Sequence, residues 1–418
     1  MTAAAAPVRQ SVQVDTGFAL ACLAVFLSPM NYLRLPGLYF TATDLVAVIG
    51  LLVMLRARQL PRRPFGAATG LWMSGFLLLG GGLMLGSIVN GWPVDLLVIL
   101  MQYAFSLIAL PLLLAGRPAA QVTVMLRVLM YSITFVMLFG IWVFHFVPHP
   151  PVEFVTFSGR LQSLVERENE CAALGAIALI LLVHFWQSGT ARVAEIVIAL
   201  PALLYGIMLT GSNTGIMVLA IGIMVLTLLS GSPRTMVMLG LAAGTVAALL
   251  VTGGDVLLPE VFRDRVLNGI LAGDVEQAGT FSDRVMLIQE AIRIAPDWLL
   301  VGMGADQYRY FSAYGHPVHN TYLLLLNEGG LLSLSGLLLL LLTGLPAAFL
   351  ALSSGPTRKN GALTLTILLI YALVLSTFPH FYARFWNVPL ILALSVSCAC
   401  RRDVVPGTTL PGKDVIHA

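Results

Sequence analysis

The chain has little charge. Asp, Glu, Lys and Arg make up only 10% of its 418 residues, against 58% hydrophobic residues, where a soluble globular domain would carry about a quarter charged. The two or three soluble domains that the length alone would suggest are therefore excluded. Cysteine is scarce as well: Cys22, Cys171, Cys398 and Cys400 show no zinc or thioredoxin-like spacing and read as buried small hydrophobes. Several catalytic signatures are missing. No glycine-rich loop ends in Lys-Ser/Thr, no His-Glu-x-x-His occurs, and no Asp-x-Asp pair could hold a divalent cation, which disfavours ATP and metal-bound nucleotide donors. The absence of Gly-x-Ser-x-Gly weakens a hydrolase reading. Residues 1–16 lack the small-residue cleavage site of a signal peptide, so the first hydrophobic run is expected to be retained.

What is there is hydrophobic length. A bilayer core of about 30 Å needs roughly 20 apolar residues per helix, and candidate spans run near 17–35, 38–55, 67–89, 94–115, 122–147, 170–187, 194–209, 213–229, 236–252, 319–350, 362–378 and 386–400. The expectation is an all-α polytopic membrane protein of about twelve transmembrane helices, forming one membrane domain over 1–418 with no internal repeat. Orientation follows the basic residues. With the N-terminus inside, the inner segments hold Arg9, Arg56, Arg58, Arg62, Arg63, Arg117, Arg192, Arg234, Arg358, Lys359, Arg401, Arg402 and Lys413, which is 13 of the 23 basic residues. Both termini are then cytoplasmic, and 401–418 forms a cytoplasmic tail.

Two outer segments stand against that bias: an outer loop at 148–168 and a large loop at 253–318. They carry Arg160, Arg167, Arg263, Arg265, Arg284, Arg293 and Arg309, and with the helix that follows they hold 14 of the 20 acids. In the larger loop, Thr280 or Ser282 can cap an amphipathic helix ending near Ile294, with Val285, Ile288, Ala291 and Ile292 on one face and Arg284 and Glu290 elsewhere. Such a helix would suit the membrane surface. Pro296 stops it, and Gly302-Met303-Gly304 makes a turn before His316-Pro317-Val318-His319.

Arginines with one or two histidines at an outer membrane boundary suit one kind of chemistry. Guanidinium groups bind phosphate oxygens bidentately and stay charged, and a neutral histidine can take a proton from a hydroxyl near neutral pH. Together they suit glycosyl transfer from a polyprenyl diphosphate without metal. Glu328 lies nine residues beyond His319, about 13 Å deeper on a straight helix and half a turn away, so a structural role is expected unless Gly329-Gly330 bends the helix. Arg263 and Arg265 would diverge on a helix. Arg34, Asp44 and Arg384 lie on the same side, where they could line a glycan groove or anchor at the interface.

Thr280-Phe281-Ser282-Asp283-Arg284, Pro296 with Gly302-Met303-Gly304, and above all His319-Asn320-Thr321-Tyr322-Leu323 with Asn327-Glu328-Gly329-Gly330-Leu331 resemble the O-antigen ligase and polymerase family of bacterial membrane glycosyltransferases. Two weaker patches are similar to the same family: Leu209-Thr210-Gly211-Ser212-Asn213-Thr214-Gly215 and Gly159-Arg160-Leu161. The likeness runs over roughly 150–345. It implies a multi-pass inner-membrane enzyme with a periplasmic active site and no cofactor or metal. The donor would be an undecaprenyl-diphosphate-linked glycan, and the acceptor a hydroxyl on lipid A core or on a carrier-linked repeat unit. By that match His319 would activate the acceptor, Arg284 and Arg160 would stabilise the diphosphate, and Arg263, Arg265, His316 and Asn320 are further candidates for donor binding. The family often has arginine where this chain has Asn213. A transporter or flippase of a lipid-linked glycan is the alternative, but it would spread polar residues at the bilayer midplane in related halves, and here they gather at one face.

Overall fold

The computed structural model describes residues 14–35, 40–231, 258–267 and 281–404, with isolated positions between 233 and 244. The expected span at 236–252, the Thr280 cap, residues 253–257 and 268–280 of the large loop and the tail beyond 404 lie essentially outside the described residues. The described chain is helical apart from a two-residue hairpin, β1 (Arg34–Leu35) with β2 (Phe40–Thr41). Its helices are α1 (Thr16–Leu27), α2 (Ala42–Arg56), α3 (Thr69–Val89), α4 (Pro93–Leu114, with a π turn at Phe105–Ala109), α5 (Ala119–Phe146), α6 (Glu168–Gln187), α7 (Val193–Thr210), α8 (Asn213–Ser230), α9 (Phe281–Ile294), α10 (Thr321–Leu342), α11 (Leu345–Ser353), α12 (Arg358–Leu375) and α13 (Arg384–Val404).

Among the described residues, eight helical segments are long and apolar enough to cross a membrane: Gly66–Val89, Pro93–Leu114, Ala119–Phe146, Glu168–Gln187, Val193–Thr210, Asn213–Ser230, Thr321–Ser353 and Gly355–Leu375. Thr16–Leu27 and Arg384–Ala399 are apolar but shorter. Gly211, at φ 55°, ends α7, and Ser212 caps α8 by accepting from Gly215 N at 3.2 Å. The junction between these spans is thus a two-residue turn, because a left-handed glycine can reverse the chain at once.

Helix α6 is the axis of the bundle, buried along nearly its whole length from Glu170 to Phe185. Small residues bring its neighbours close: a Cβ on Gly215 of α8 would stand 2.3 Å from that of Ala172, and one on Gly222 would stand 2.4 Å from Ile180. The closest pairing is α3 with α10. A Cβ on Gly82 would meet the Gly329 carbonyl at 2.4 Å, one on Gly336 would meet Leu79 N at 2.3 Å, and Ser333 Oγ donates to Leu79 O at 2.7 Å. In lipid, where apolar burial drives little association, such backbone contact and hydrogen bonding hold helices together.

Helix α10 is broken. Gly330 has φ 66° and ψ −169°, a conformation essentially reserved for glycine. The carbonyls freed by the break are taken by the preceding loop: Met303 N donates to Asn327 O and Gly304 N to Glu328 O, both at 2.9 Å, while Leu331 N donates to Leu299 O at 2.8 Å. Gly302 must lack a side chain there, since its Cβ would stand 2.1 Å from Glu328 O. Asn90 and Ser87 of α3 bind Gly302 O and Ala305 N at 3.1 and 2.9 Å, so the loop is clamped from both sides.

Helix α9 differs from the sequence reading in what it faces. Leu287 and Ala291 pack with Met303, Tyr308, Val318 and Leu324 in a small core over the head of α10. The apolar stripe therefore meets protein. Ile292, which the sequence put on the same face as Val285, Ile288 and Ala291, is 57% exposed. Leu287, Ile288 and Ala291 continue a line that starts at Arg284, since positions three, four and seven apart share a helix face. Arg284 thus stands at the end of the inward face. Glu290 is buried too, accepting from Ser312 Oγ at 2.6 Å and Ala313 N at 2.7 Å.

Candidate functional site

The two weaker sequence patches meet each other. Leu161 N donates to Leu209 O at 3.0 Å, and the Arg160 guanidinium reaches Thr210 O (2.8 Å), Glu168 Oε1 (2.5 Å) and Asn169 Oδ1 (3.1 Å). Asn169 also accepts from Ser212 Oγ at 2.8 Å. Arg160 is buried, and its three directions of donation are all used. Burial draws its pKa down to about 10, Glu168 opposes that, and the nearby charges of Arg265 and Arg284 add to it. It remains a cation at neutral pH, and it joins the 148–168 loop, the α7–α8 turn and the head of α6.

Arg265 lies against the α7–α8 turn, with its Cδ 3.4 Å from where a Gly211 Cβ would stand. Its Nε is buried without a hydrogen-bond partner among the described residues. Arg263, in the same π-helical turn, pairs with Asp264 at 3.5 Å. Of the two arginines, Arg265 is the one whose charge is felt at Arg160.

Arg284 projects from the first turn of α9. A surface ion pair with Asp283 or Glu290 would be the ordinary fate of such a residue; among the described residues Arg284 makes no ion pair or hydrogen bond. Its charge is felt at Arg160, at Glu170 and at His319. His319 is half-buried and held from both sides: Val318 is in the α9 core, and Asn320 Oδ1 caps α10 by accepting from Leu323 N at 3.1 Å. Asn320 is therefore the helix cap. Thr321 Oγ1 donates to Phe378 O at 2.7 Å and ties the same corner to the α12–α13 turn. Burial, then Arg284, Arg167 and the exposed His316, hold the His319 imidazole below its ordinary pKa, so it is neutral and able to accept a proton at pH 7.

Glu328 is not part of this cluster. Its buried carboxylate accepts from Tyr308 N at 3.3 Å, which makes it a clasp for the loop. Its partner comes from the loop.

Behind His319 the α12–α13 turn brings in a residue that carried no motif. His380 stacks on Tyr382 at 27° with ring centres 5.3 Å apart, and burial, Arg167, Arg309 and His319 pull its pKa down to about 4. Together with Arg167 and Glu170 it lines a cavity of about 140 Å³. Asp44 and Arg384, from opposite ends of the chain, form a bidentate pair at its wall, 2.6 and 2.8 Å, and Arg384 also donates to Gln102. Arg34 pairs with Glu166 at 3.3 Å. The run Arg167-Glu168-Asn169-Glu170 at the head of an apolar helix was the available signal for α6, and it supplies partners to both the arginine cluster and the cavity.

Helices of membrane-spanning length mark a multi-pass membrane protein, and cations gather around a neutral imidazole beside the head of α10. Residues 196–341 match the family model described as O-Antigen ligase. That segment contains Ser212, Arg263, Arg265, Arg284 and His319; Arg160 and the cavity lie mostly on chain outside it. No curated protein matches the chain.

Proposed function

We propose that the protein transfers a glycan from an undecaprenyl diphosphate carrier to a hydroxyl acceptor at the periplasmic face of the bacterial inner membrane. The observation that carries this reading is the guanidinium of Arg284, without an ion pair or hydrogen bond among the described residues, whose charge is felt at the neutral imidazole of His319, with Arg160 and Arg265 adding charge. The diphosphate oxygens lie on Arg284 and Arg265. The acceptor oxygen attacks the anomeric carbon and gives its proton to His319, and the carbon–oxygen bond to the diphosphate breaks, its electron pair leaving on the phosphate oxygen. Bound diphosphate also offsets the cations that depress His319, which strengthens the base when the donor is in place. No metal is required, because the arginines neutralise the leaving group.

The remaining parts of this reading follow the basic-residue pattern: twelve crossings, cytoplasmic termini, and periplasmic loops at 148–168 and 253–318. Lipid A core as acceptor makes the protein a ligase, and a carrier-linked repeat unit makes it a polymerase. The deciding experiment replaces His319 and, separately, Arg284 by Ala at equal protein levels and follows surface polysaccharide and carrier-linked intermediates. Loss of surface glycan in both is expected; normal glycan in both defeats the assignment, as does activity abolished by a chelator. Long carrier-linked chains in a null strain indicate a ligase, and single repeats a polymerase.

A further inference from the structure

Next to the cationic cluster, the cavity of about 140 Å³ has a different character. Its charges cancel in pairs. Arg384 is matched by Asp44, Arg34 by Glu166 and Arg167 by Glu170. The cluster around Arg284 instead has a surplus of guanidinium, so the two neighbouring sites select for different ligands.

Glu170 is the informative residue. It is only 6% exposed, it lines the cavity, and its ion pair with Arg167 spans 3.8 Å, longer than a hydrogen bond. No side-chain hydrogen bond among the described residues reaches it. A carboxylate this buried in a polar cavity, met only by its own backbone N–H and a 3.8 Å ion pair, has lone pairs left to accept from hydroxyl groups. Gln102 supplies the complement, because Arg384 donates to its Oε1 and so fixes its amide NH₂ as a donor. Trp386, Tyr382 and Phe378 line other sides with aromatic rings. Flat rings on some walls, with a carboxylate and an amide on others, match a pyranose, which has an apolar C–H face and a rim of hydroxyls. The volume admits on the order of ten waters, enough for a sugar ring and too small for a folded partner. A diphosphate is disfavoured here, since every guanidinium already faces a carboxylate.

We propose that this cavity is the acceptor subsite, taking one uncharged pyranose ring with its hydroxyls on Glu170 and Gln102 and its C–H face on Trp386. The inference rests on the transfer reading above. It also gives His380 a place: this residue lines the cavity and lies close enough to His319 to feel its charge, so a hydroxyl at the cavity mouth is presented to the base.

The test uses the full chain in nanodiscs and saturation-transfer NMR with methyl glucoside, methyl galactoside, methyl mannoside and methyl glucuronide, with inorganic diphosphate as competitor. At least one neutral methyl glycoside is expected to bind, the glucuronide at least tenfold more weakly, and diphosphate should not displace it. Trp386→Ala and Gln102→Ala should lose the signal, Trp386→Phe should keep most of it, and Arg284→Ala should leave it intact. Displacement by diphosphate, loss in Arg284→Ala alone, or no binding of any neutral glycoside overturns the subsite. Turnover separates the two readings. Wild-type protein that binds the glycoside but transfers nothing from the carrier defeats the transfer reading, whereas active Gln102→Ala protein with an unchanged acceptor KM defeats the subsite alone.

Discussion

At the scale of single residues, two arginines of the same site do different work. Arg160 spends its guanidinium on Thr210, Glu168 and Asn169, so Arg160→Ala leaves a half-buried carboxylate and two further acceptors without their donor and should cost about 1–3 kcal/mol of stability, read as a lower melting temperature in detergent. Arg284 makes no such contacts. Arg284→Ala should leave the melting temperature unchanged or slightly raised, because a like charge is removed from the cluster, and lower transfer by about 10²- to 10³-fold. Equal stability losses in both variants would contradict this division. The acid limb of the rate profile offers a second check. The folded pKa of His319 lies below its ordinary value, so the base stays neutral through pH 7, and the rate should fall only as pH drops below about 6.5. Arg167→Gln removes one of the charges that depress it and should move that limb to higher pH, with a smaller displacement in high salt. Much of this site was legible in the sequence, because His319, Arg284 and Arg160 break the charge bias of their loops. His380 was not, since a lone histidine between Pro379 and Phe381 has no spacing to set it apart, and the residues that share its cavity come from the α1–α2 connection, α4 and the head of α6.

At the scale of elements, the break in α10 carries the most meaning. Gly330→Ala places a Cβ 2.8 Å from Leu299 O at a φ of 66°, and the strain should cost about 1–3 kcal/mol. Lower thermal stability is expected, together with faster proteolysis of the 295–305 loop, which depends on the carbonyls the break releases. An unchanged digestion pattern would show that the loop is held elsewhere. The Gly329-Gly330 pair announced a possible bend, but hydrophobicity alone wrote 319–350 as one rod, because a window of leucines does not register where a backbone hydrogen bond is diverted. The α9 stripe was misjudged for a related reason. Periodicity grouped Ile292 with Val285, Ile288 and Ala291 and left Arg284 off that face, whereas tertiary contacts favour Leu287 and Ala291, whose line along the helix begins at Arg284.

At the scale of the whole molecule, sidedness can be measured directly. In an otherwise cysteine-free chain, Ser158→Cys should react with a membrane-impermeant maleimide in spheroplasts, and Arg62→Cys only after permeabilisation; the reverse pattern inverts the topology. The hydrophobic pattern anticipated most of the helices, since length and composition suffice for that. It left open how they pair, because the α3–α10 contact depends on glycines whose partners are more than 200 residues away. Finally, Arg160, Arg265 and Arg284 repel one another within one small region. Folding brings these like charges together, so the protein is held below the stability its core could reach. Any dianion that settles among them acts as a folding ligand, worth about 2.7 kcal/mol at a hundredfold excess over its Kd. The melting temperature should therefore rise with inorganic diphosphate, less so as sodium chloride is added, and the rise should be lost in Arg284→Ala. Supply of the carrier-linked donor would then govern how much of this protein survives in the membrane as well as how fast it works.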